Sequence, residues 1–301
     1  MRLAITGGTG FVGSHLIDVA LGAGHSIKAL TRREQPDCDG VDWVMGDLGR
    51  REALEWLVDE ADAIIHVAGT ISGHSAAAFE IGNVAGTLAM LAAATAGGVH
   101  RFVHVSSLAA REPKLSLYGA SKRKGEELVM SSGLEWAIVR PPAVYGPGDR
   151  ETLELFRMAK LGLMLMPPRG RVSVIHADDL ARLLLALAAP AAPATCLIEP
   201  DDSKPGGWTH REFARALAAA VGTKAAVISS PGILLRLVAR ADQLLRGEKA
   251  KLTTDRAAYF SHRNWVVEPK RAAPPQLWRP EIDTVQGLKD TAAWYREQGW
   301  L

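Results

Sequence analysis

Apolar residues recur along this chain in two alternating rhythms. Short, mostly apolar runs occupy 2–6, 27–30, 43–45, 63–67, 101–106 and 136–140. Longer stretches with apolar residues three and four apart fill 11–22, 51–58, 81–96 and 118–131 between most of them. The first rhythm is that of buried strands, the second that of amphipathic helices. Their alternation predicts the α/β class, with a doubly wound parallel sheet. Gly24, Gly97, Gly98 and Gly133 stand where the helices should end, as C-terminal caps favour. Another strand, helix and strand follow at 172–176, 178–188 and 194–199. The rhythm weakens at 145–171 and after 201, where Pro, Trp and irregular spacing take over. The expected organisation is one sheet domain, 1–144 and 172–200, and a smaller C-terminal domain, 145–171 and 201–301.

Composition narrows the class. A chain of 301 residues can bury a large core. Its 35 Lys and Arg against 33 Asp and Glu give a net charge of +2, which points to neither nucleic acid nor an anionic membrane as partner. A small-molecule partner is expected instead. Cys38 and Cys196 lie far apart, so no disulfide framework or metal site is expected. No apolar run approaches the roughly 20 residues that span a bilayer. The strand pattern begins at Arg2, leaving no room for a signal peptide, and the expected location is the cytoplasm. Residues 231–247 are amphipathic, with arginines on the polar face. They could suit a membrane surface, but the preferred reading is a helix packing over a substrate cleft or a partner subunit.

The chemistry begins at Leu3-Ala-Ile-Thr-Gly-Gly-Thr-Gly-Phe-Val-Gly13, a strand that ends in spaced glycines and opens a helix. The spacing fits Gly8-x-Gly10-x-x-Gly13 and also Gly7-x-x-Gly10-x-x-Gly13. Such a turn aims backbone N–H groups and a helix N-terminus, here Phe11 and Val12, at a pyrophosphate. A dinucleotide is therefore expected, in a Rossmann-type sheet. An NAD site has an Asp or Glu at the end of the second strand, holding the ribose 2′-hydroxyl. Here that position carries Thr31, Arg32 and Arg33. Arginines bind a 2′-phosphate where a carboxylate would repel it, so NADP(H) is preferred, with NAD(H) the alternative.

Tyr118 and Lys122 stand four apart at the start of a helical stretch and share one face. Tyrosine alone titrates near 10, and a nearby ammonium stabilises its phenolate, making it an acid or base near neutrality. Ser107 follows the strand 101–106, at the carboxyl end of the sheet, where it can hydrogen-bond the same substrate oxygen.

Several segments together resemble the short-chain dehydrogenase/reductase superfamily in its extended or atypical branch, the NAD-dependent epimerase/dehydratase family. They are Thr6-Gly-Gly-Thr-Gly-Phe-Val-Gly13, Gly46-Asp-Leu48, His66-Val-Ala-Gly69, Asn83-Val-Ala-Gly-Thr87, Val105-Ser-Ser107, Tyr118-x-x-x-Lys122, Arg140-Pro-Pro-Ala-Val-Tyr-Gly-Pro-Gly148 and His176-Ala-Asp-Asp179. The resemblance implies Tyr118 as general acid/base, Lys122 on the nicotinamide ribose and Ser107 on the substrate oxygen. It places Asp47 and Leu48 beside the adenine, Ala68 and Gly69 beside the pyrophosphate and adenosine ribose, and Pro141 and Ala143 beside the nicotinamide amide. Asn83 and Ser106 match positions near the cofactor, and the smaller domain becomes substrate-side. A homodimer through 81–96 and 118–131 is the family expectation.

Structural roles compete at several positions. Asp47 suits a solvated turn, and Asn83 a hydrogen bond inside a helix. His66 and His176 read as buried structural residues, Asp178 or Asp179 as a helix cap, and Trp265, Trp278, Trp294 and Trp300 as core of the smaller domain. Thr70, Ser72, Arg111 and Tyr145 are expected on loops facing the substrate. Nucleotide-sugar epimerases carry a longer loop before the tyrosine than the ten residues 108–117 found here. The favoured activity is reduction of a small or medium carbonyl, or the reverse oxidation. The alternatives are a nucleotide-sugar epimerase or dehydratase, gripping a diphosphate through Arg169, Arg171 and Lys204, and a non-catalytic NADP(H)-binding sensor or assembly protein.

Overall fold

A computed structural model of the chain describes residues 1–71, 75–231, 237, 240, 242 and 254–301. The amphipathic 231–247 therefore lies almost wholly outside the described residues, as does Ser72. Two compact units emerge. Met1–Pro141, Asp178–Glu199 and Arg271–Arg279 form the first, and Pro142–Ala177, Pro200–Lys270 and Pro280–Leu301 the second.

The first unit is the expected doubly wound sheet. Its strands are β1 (Arg2–Thr6), β2 (Ser26–Thr31), β3 (Val41–Met45), β4 (Ala63–His66), β5 (Arg101–Val105), β6 (Glu135–Val139) and a last strand, Cys196–Ile198. They lie in the order Cys196–Ile198, β6, β5, β4, β1, β2, β3, every pair parallel. Helices α1 (Phe11–Gly22), α2 (Arg51–Val58), α3 (Ala76–Phe79), α4 (Gly86–Ala96) and α5 (Leu117–Met130) belong to this unit. Leu3, Ala4, Ile5, Ile64, Ile65, Phe102, Val103, Ile138 and Val139 are buried, which is why β1, β4, β5 and β6 read as apolar runs and not as alternating patterns. The order reverses between β1 and β4, and ligands bind at the carboxyl ends of strands at such a reversal.

The helix expected over 81–96 is interrupted. α3 runs into a π-helical turn, Glu80–Ala85, before α4 begins. Together Ala76–Ala96 make 21 helical residues apolar enough to cross a membrane by composition, contrary to the expectation of no such run. The cause is its many alanines, with Phe, Ile, Val, Leu and Met among them. Asn83, Thr87, Met90, Leu91 and Ala94 are buried along it, as in the core helix of a folded domain.

The second unit is built from small sheets. Ala143–Tyr145 pairs with Val174–His176, Leu163–Met166 with Ala226–Ser229, and Arg171–Val172 lies between Trp208–Thr209 and Asn264–Trp265. Its core gathers Tyr145, Phe156, Phe213, Leu217, Leu288 and Tyr295. The single strand expected at 172–176 is two, because Ser173 turns its hydroxyl onto Asp201 (2.7 Å) and the chain changes partners there. That exchange carries 142–144 and 172–177 into the second unit, away from the boundaries expected. Residues 271–279 return to the first. Glu199 N–H donates to the Arg271 carbonyl (2.8 Å), and Trp278 Nε1 donates to the Asp179 carbonyl (3.0 Å). Trp278 is thus not core of the smaller unit, whereas Trp265 is buried in it and Trp294 and Trp300 pack against its core.

Candidate active site

The glycine turn between β1 and α1 is tight for a physical reason. A Cβ on Gly13 would sit 2.0 Å from the Gly7 carbonyl oxygen, and one on Gly7 would meet Ala68 N at 2.7 Å. Gly7 also holds a φ of +75°, which L side chains rarely adopt. Gly10 N–H donates to Gly7 O (3.0 Å), and Gly10 then starts α1 with no side chain capping it. The first N–H groups of α1, on Phe11, Val12 and Gly13, have no partner inside the helix. Backbone this close, with an uncapped positive helix end, fits a pyrophosphate.

At the end of β2, Thr31 is buried and donates its hydroxyl to Arg33 O (2.7 Å), folding the chain back. Arg32 and Arg33 are exposed, and neither guanidinium has an ion pair among the described residues. Asp47 is exposed and accepts from Gly49 N–H (2.8 Å), a solvated turn whose carboxylate is partly used. Leu48 is half-buried against Gly86, where a Cβ would come within 2.5 Å of it.

Ser107, Tyr118 and Lys122 come together around the end of β5. Ser107 caps a 3-10 turn, Leu108–Arg111, accepting from Ala109 N–H (3.2 Å), and Pro141 O receives Leu108 N–H (2.9 Å). Ser116 caps α5 by accepting from Gly119 N–H (3.0 Å), which sets Tyr118 in the first turn. Burial pushes the Tyr118 phenol up, and a hydrogen bond with Ser107 opposes the rise. The net shift is therefore upward, against the lowering expected from the sequence, because burial outweighs the polar neighbours of the phenol. Lys122 donates Nζ to Val105 O (2.9 Å), and burial brings its own pKa down to about 8. Gly69 lies beside this ammonium, since an added Cβ would stand 3.0 Å from Lys122 Nζ and 2.7 Å from Asn83 Oδ1.

A directional chain of hydrogen bonds ties these parts. Ala68 N–H donates to Thr6 Oγ1 (3.2 Å), and Thr6 Oγ1 meets His66 Nδ1 (2.7 Å). His66 Nε2 meets Thr87 Oγ1 (3.2 Å), and Thr87 donates to Asn83 O (2.8 Å). With Thr87 and Thr6 each already committed, the assigned tautomer of His66 carries its proton on Nε2. Asn83 uses both of its amide donors: Oδ1 accepts from Thr70 N–H (2.7 Å), and Nδ2 donates to Thr70 O (2.9 Å) and Ser121 Oγ (2.8 Å). Ser121 in turn donates to Tyr118 O (2.8 Å). The amide of Asn83 therefore positions its neighbours.

His66 stacks on His104 (centroids 5.5 Å apart), and neither ring nitrogen of His104 has a hydrogen-bond partner among the described residues. Burial, with Lys122 nearby, holds His66 neutral down to about 3 and His104 well below its usual range. In the unfolded chain both titrate near 6.5. Below that pH the unfolded state binds more protons, so stability falls as pH drops from 6.5 towards 3, by up to about 1.4 kcal/mol per pH unit for His66, and His104 acts in the same direction. Urea unfolding at pH 6.5 and 5.5 measures this, and equal midpoints would show that the rings charge inside the fold.

The sequence reading missed a buried charge network. Ser106 donates to Glu126 Oε1 (2.6 Å), so its hydroxyl is committed there and does not stand free for a cofactor. Arg140 grips both Glu126 oxygens (2.7 Å each) and reaches Glu199 (3.2 Å). Arg111 and Arg271 flank Glu199 at 3.6 and 3.8 Å. Glu126 stands four residues past Lys122 on the same helix, a spacing that could have signalled it; Glu199 carries no such sign.

Other expectations resolve singly. Tyr145 is core of the second unit, edge-on to buried His176 (5.2 Å), and does not lie on a substrate-facing loop. Its apolar ring and short strand explain the difference. Ala143 belongs to that unit too, exposed on Ala143–Tyr145. Asp178 and Asp179 lie in the first turn of Ala177–Ala188, and Asp178 pairs with His15 Nδ1 (2.5 Å). Arg171 donates to the Gly206 and Gly207 carbonyls (2.5 and 3.0 Å), and Lys204 lies over Trp208 (4.1 Å), while Arg169 is exposed.

Comparison with known proteins agrees with this geometry. The model of the NAD dependent epimerase/dehydratase family matches residues 3–195. The chain is 38% identical to a ceramide reductase of Caulobacter vibrioides, covering 99% of this chain and 96% of that one. It is 32% identical to a 4-hydroxy-2-methyl-3-oxo-4-farnesyl-3,4-dihydroquinoline-1-oxide ketoreductase of Stigmatella aurantiaca, over 50% of this chain and 52% of that one. In fold it is similar to the Bordetella bronchiseptica enzyme WbmG, solved in complex with NAD, with a TM-score of 0.77 at 19% identity over 100% of this chain and 95% of that one.

Proposed function

The chain belongs to the NAD-dependent epimerase/dehydratase family, and on that premise we propose that it is an NADP(H)-dependent carbonyl reductase. The observation that carries the reading is the placing of Tyr118 in the first turn of α5, one helical turn from buried Lys122, whose ammonium is held at the end of β5 just before Ser107. A bound nicotinamide supplies hydride chemistry at its C4. Tyr118 gives its phenolic proton to the carbonyl oxygen, and Ser107 hydrogen-bonds that oxygen. Lys122, as an ammonium, holds the nicotinamide ribose and favours the phenolate left behind. The glycine turn and α1 hold the pyrophosphate; Asp47, Leu48, Ala68 and Gly69 hold the adenosine.

Two exposed guanidinium groups, with no carboxylate at the end of β2, support NADP(H) over NAD(H). Arg171 and Lys204, the proposed diphosphate grip of a nucleotide-sugar enzyme, are already spent on loop carbonyls and an indole, which favours reduction. The similarity to a ceramide reductase across nearly the whole chain makes a ceramide-class ketone the first substrate to try.

Calorimetric titration tests the cofactor. Replacing Arg32 and Arg33 with Ala should weaken NADPH by roughly 10- to 100-fold, as charge-assisted hydrogen bonds are lost, and leave NADH within about twofold. Equal weakening of both would remove the 2′-phosphate reading. Oxidation of NADPH by a ceramide-class ketone, followed at the nicotinamide absorbance, tests the reaction; tight NADPH binding without turnover on that ketone or on simpler ketones would shift the assignment to an epimerase or a sensor.

A further inference from the structure

We propose that the outer face of the small sheet Leu163–Met166 with Ala226–Ser229 docks on an anionic lipid bilayer. Side chains alternate across a strand. Met164 and Met166 turn into the core of the second unit, so Leu163 and Leu165 face out, 43% and 51% exposed. In this parallel pair Leu165 is matched with Ile228 and Leu163 with Ala226, which puts Ile228, 51% exposed, on the same face. Leu161, just before the strand, is 84% exposed. Three large aliphatic side chains thus meet solvent on one face of a short sheet, with a fourth, Leu161, exposed just before it, where scattered single exposures are the norm.

The charges beside this face carry the choice of partner. Lys160 and Lys224 are exposed, and neither has an ion pair among the described residues. Thr223 donates its hydroxyl to Ala159 O (2.7 Å), which brings the backbone next to Lys224 against the backbone next to Lys160. The sequence has no Asp or Glu between Glu154 and Asp178, and none between Glu212 and Asp242. A net charge of +2 for the whole chain hides this segregation, so the expectation of no anionic membrane partner holds for the average and not for this face. Exposed leucines flanked by lysines, in two chain segments free of Asp and Glu, match the boundary between headgroups and acyl chains. A protein partner is disfavoured, since protein interfaces are depleted in Lys.

Flotation of the full-length protein with vesicles tests the docking without any turnover, so its failure and that of the reductase reading are separate results. The expected result is flotation with phosphatidylcholine vesicles containing phosphatidylglycerol, weakened by salt, and none with phosphatidylcholine alone. Lys160→Glu with Lys224→Glu should lower partitioning by at least roughly fivefold per lysine. Leu161→Asp with Leu165→Asp should abolish it. Unchanged circular dichroism and NADPH affinity would show both variants folded. Absence of wild-type flotation, or flotation of both variants at the wild-type level, overturns the proposal. So does wild-type self-association that the leucine variant abolishes while flotation persists, which would make the face a contact between copies.

Discussion

Tyr118→Phe should cut kcat for carbonyl reduction by about 10²- to 10⁴-fold, the range general acid catalysis supplies. NADPH affinity should stay within a few-fold, because the Phe ring keeps the packing against Phe79 (centroids 6.1 Å apart) and loses only the hydroxyl. The wild-type rate also has a predicted pH dependence. Burial keeps the phenol protonated through neutrality, so the acid is available there. Lys122 loses its charge as pH rises through about 8, so reduction should hold from neutral pH to about 8 and decline above it. A pH–rate profile of kcat, with Tyr118→Phe measured alongside, checks both points. Turnover by the variant at the wild-type rate would remove Tyr118 as the acid.

Arg140→Ala should destabilise the fold by about 3–5 kcal/mol, since it strands the fully buried carboxylates of Glu126 and Glu199 together. Arg140→Lys keeps a positive charge but loses the planar fork that grips both Glu126 oxygens, and should fall between the two. Urea unfolding at pH 7 measures the series. A loss below about 1 kcal/mol for Arg140→Ala would mean that water or Arg111 and Arg271 take over the charge. Arg140→Ala should also disturb the active site, because Ser106, next to Ser107, donates to the same Glu126.

Elements whose physics is local were legible in the sequence. β1, the glycine turn and α1 are contiguous, and their apolar period and the close approach of Gly13 to Gly7 act within a short stretch of chain. The pair Tyr118 and Lys122 is legible for the same reason, being fixed by one helical turn. What escaped depends on partners distant in sequence. Ser173 breaks a strand because Asp201 accepts its hydroxyl. Trp278 joins the first unit through the Asp179 carbonyl. Tyr118 is raised and not lowered, because burial by elements distant in sequence outweighs its polar neighbours. Burial of Glu126, Arg140 and Glu199 has no signature in composition, since each alone reads as a surface charge.

The π-helical turn Glu80–Ala85 has a bearing on chain-length variation. Each helical residue advances the facing direction by about 100°, so a wide turn absorbs a surplus residue without unwinding its flanks. Shortening 80–85 by one residue would let an ordinary α-helix close, while everything on one side of the deletion rotates by about that angle against the other. Either Phe79 would leave its place beside Tyr118, or Thr87 would swing away from His66. This stretch should therefore tolerate side-chain replacement at exposed Ile81 far better than it tolerates a change in length.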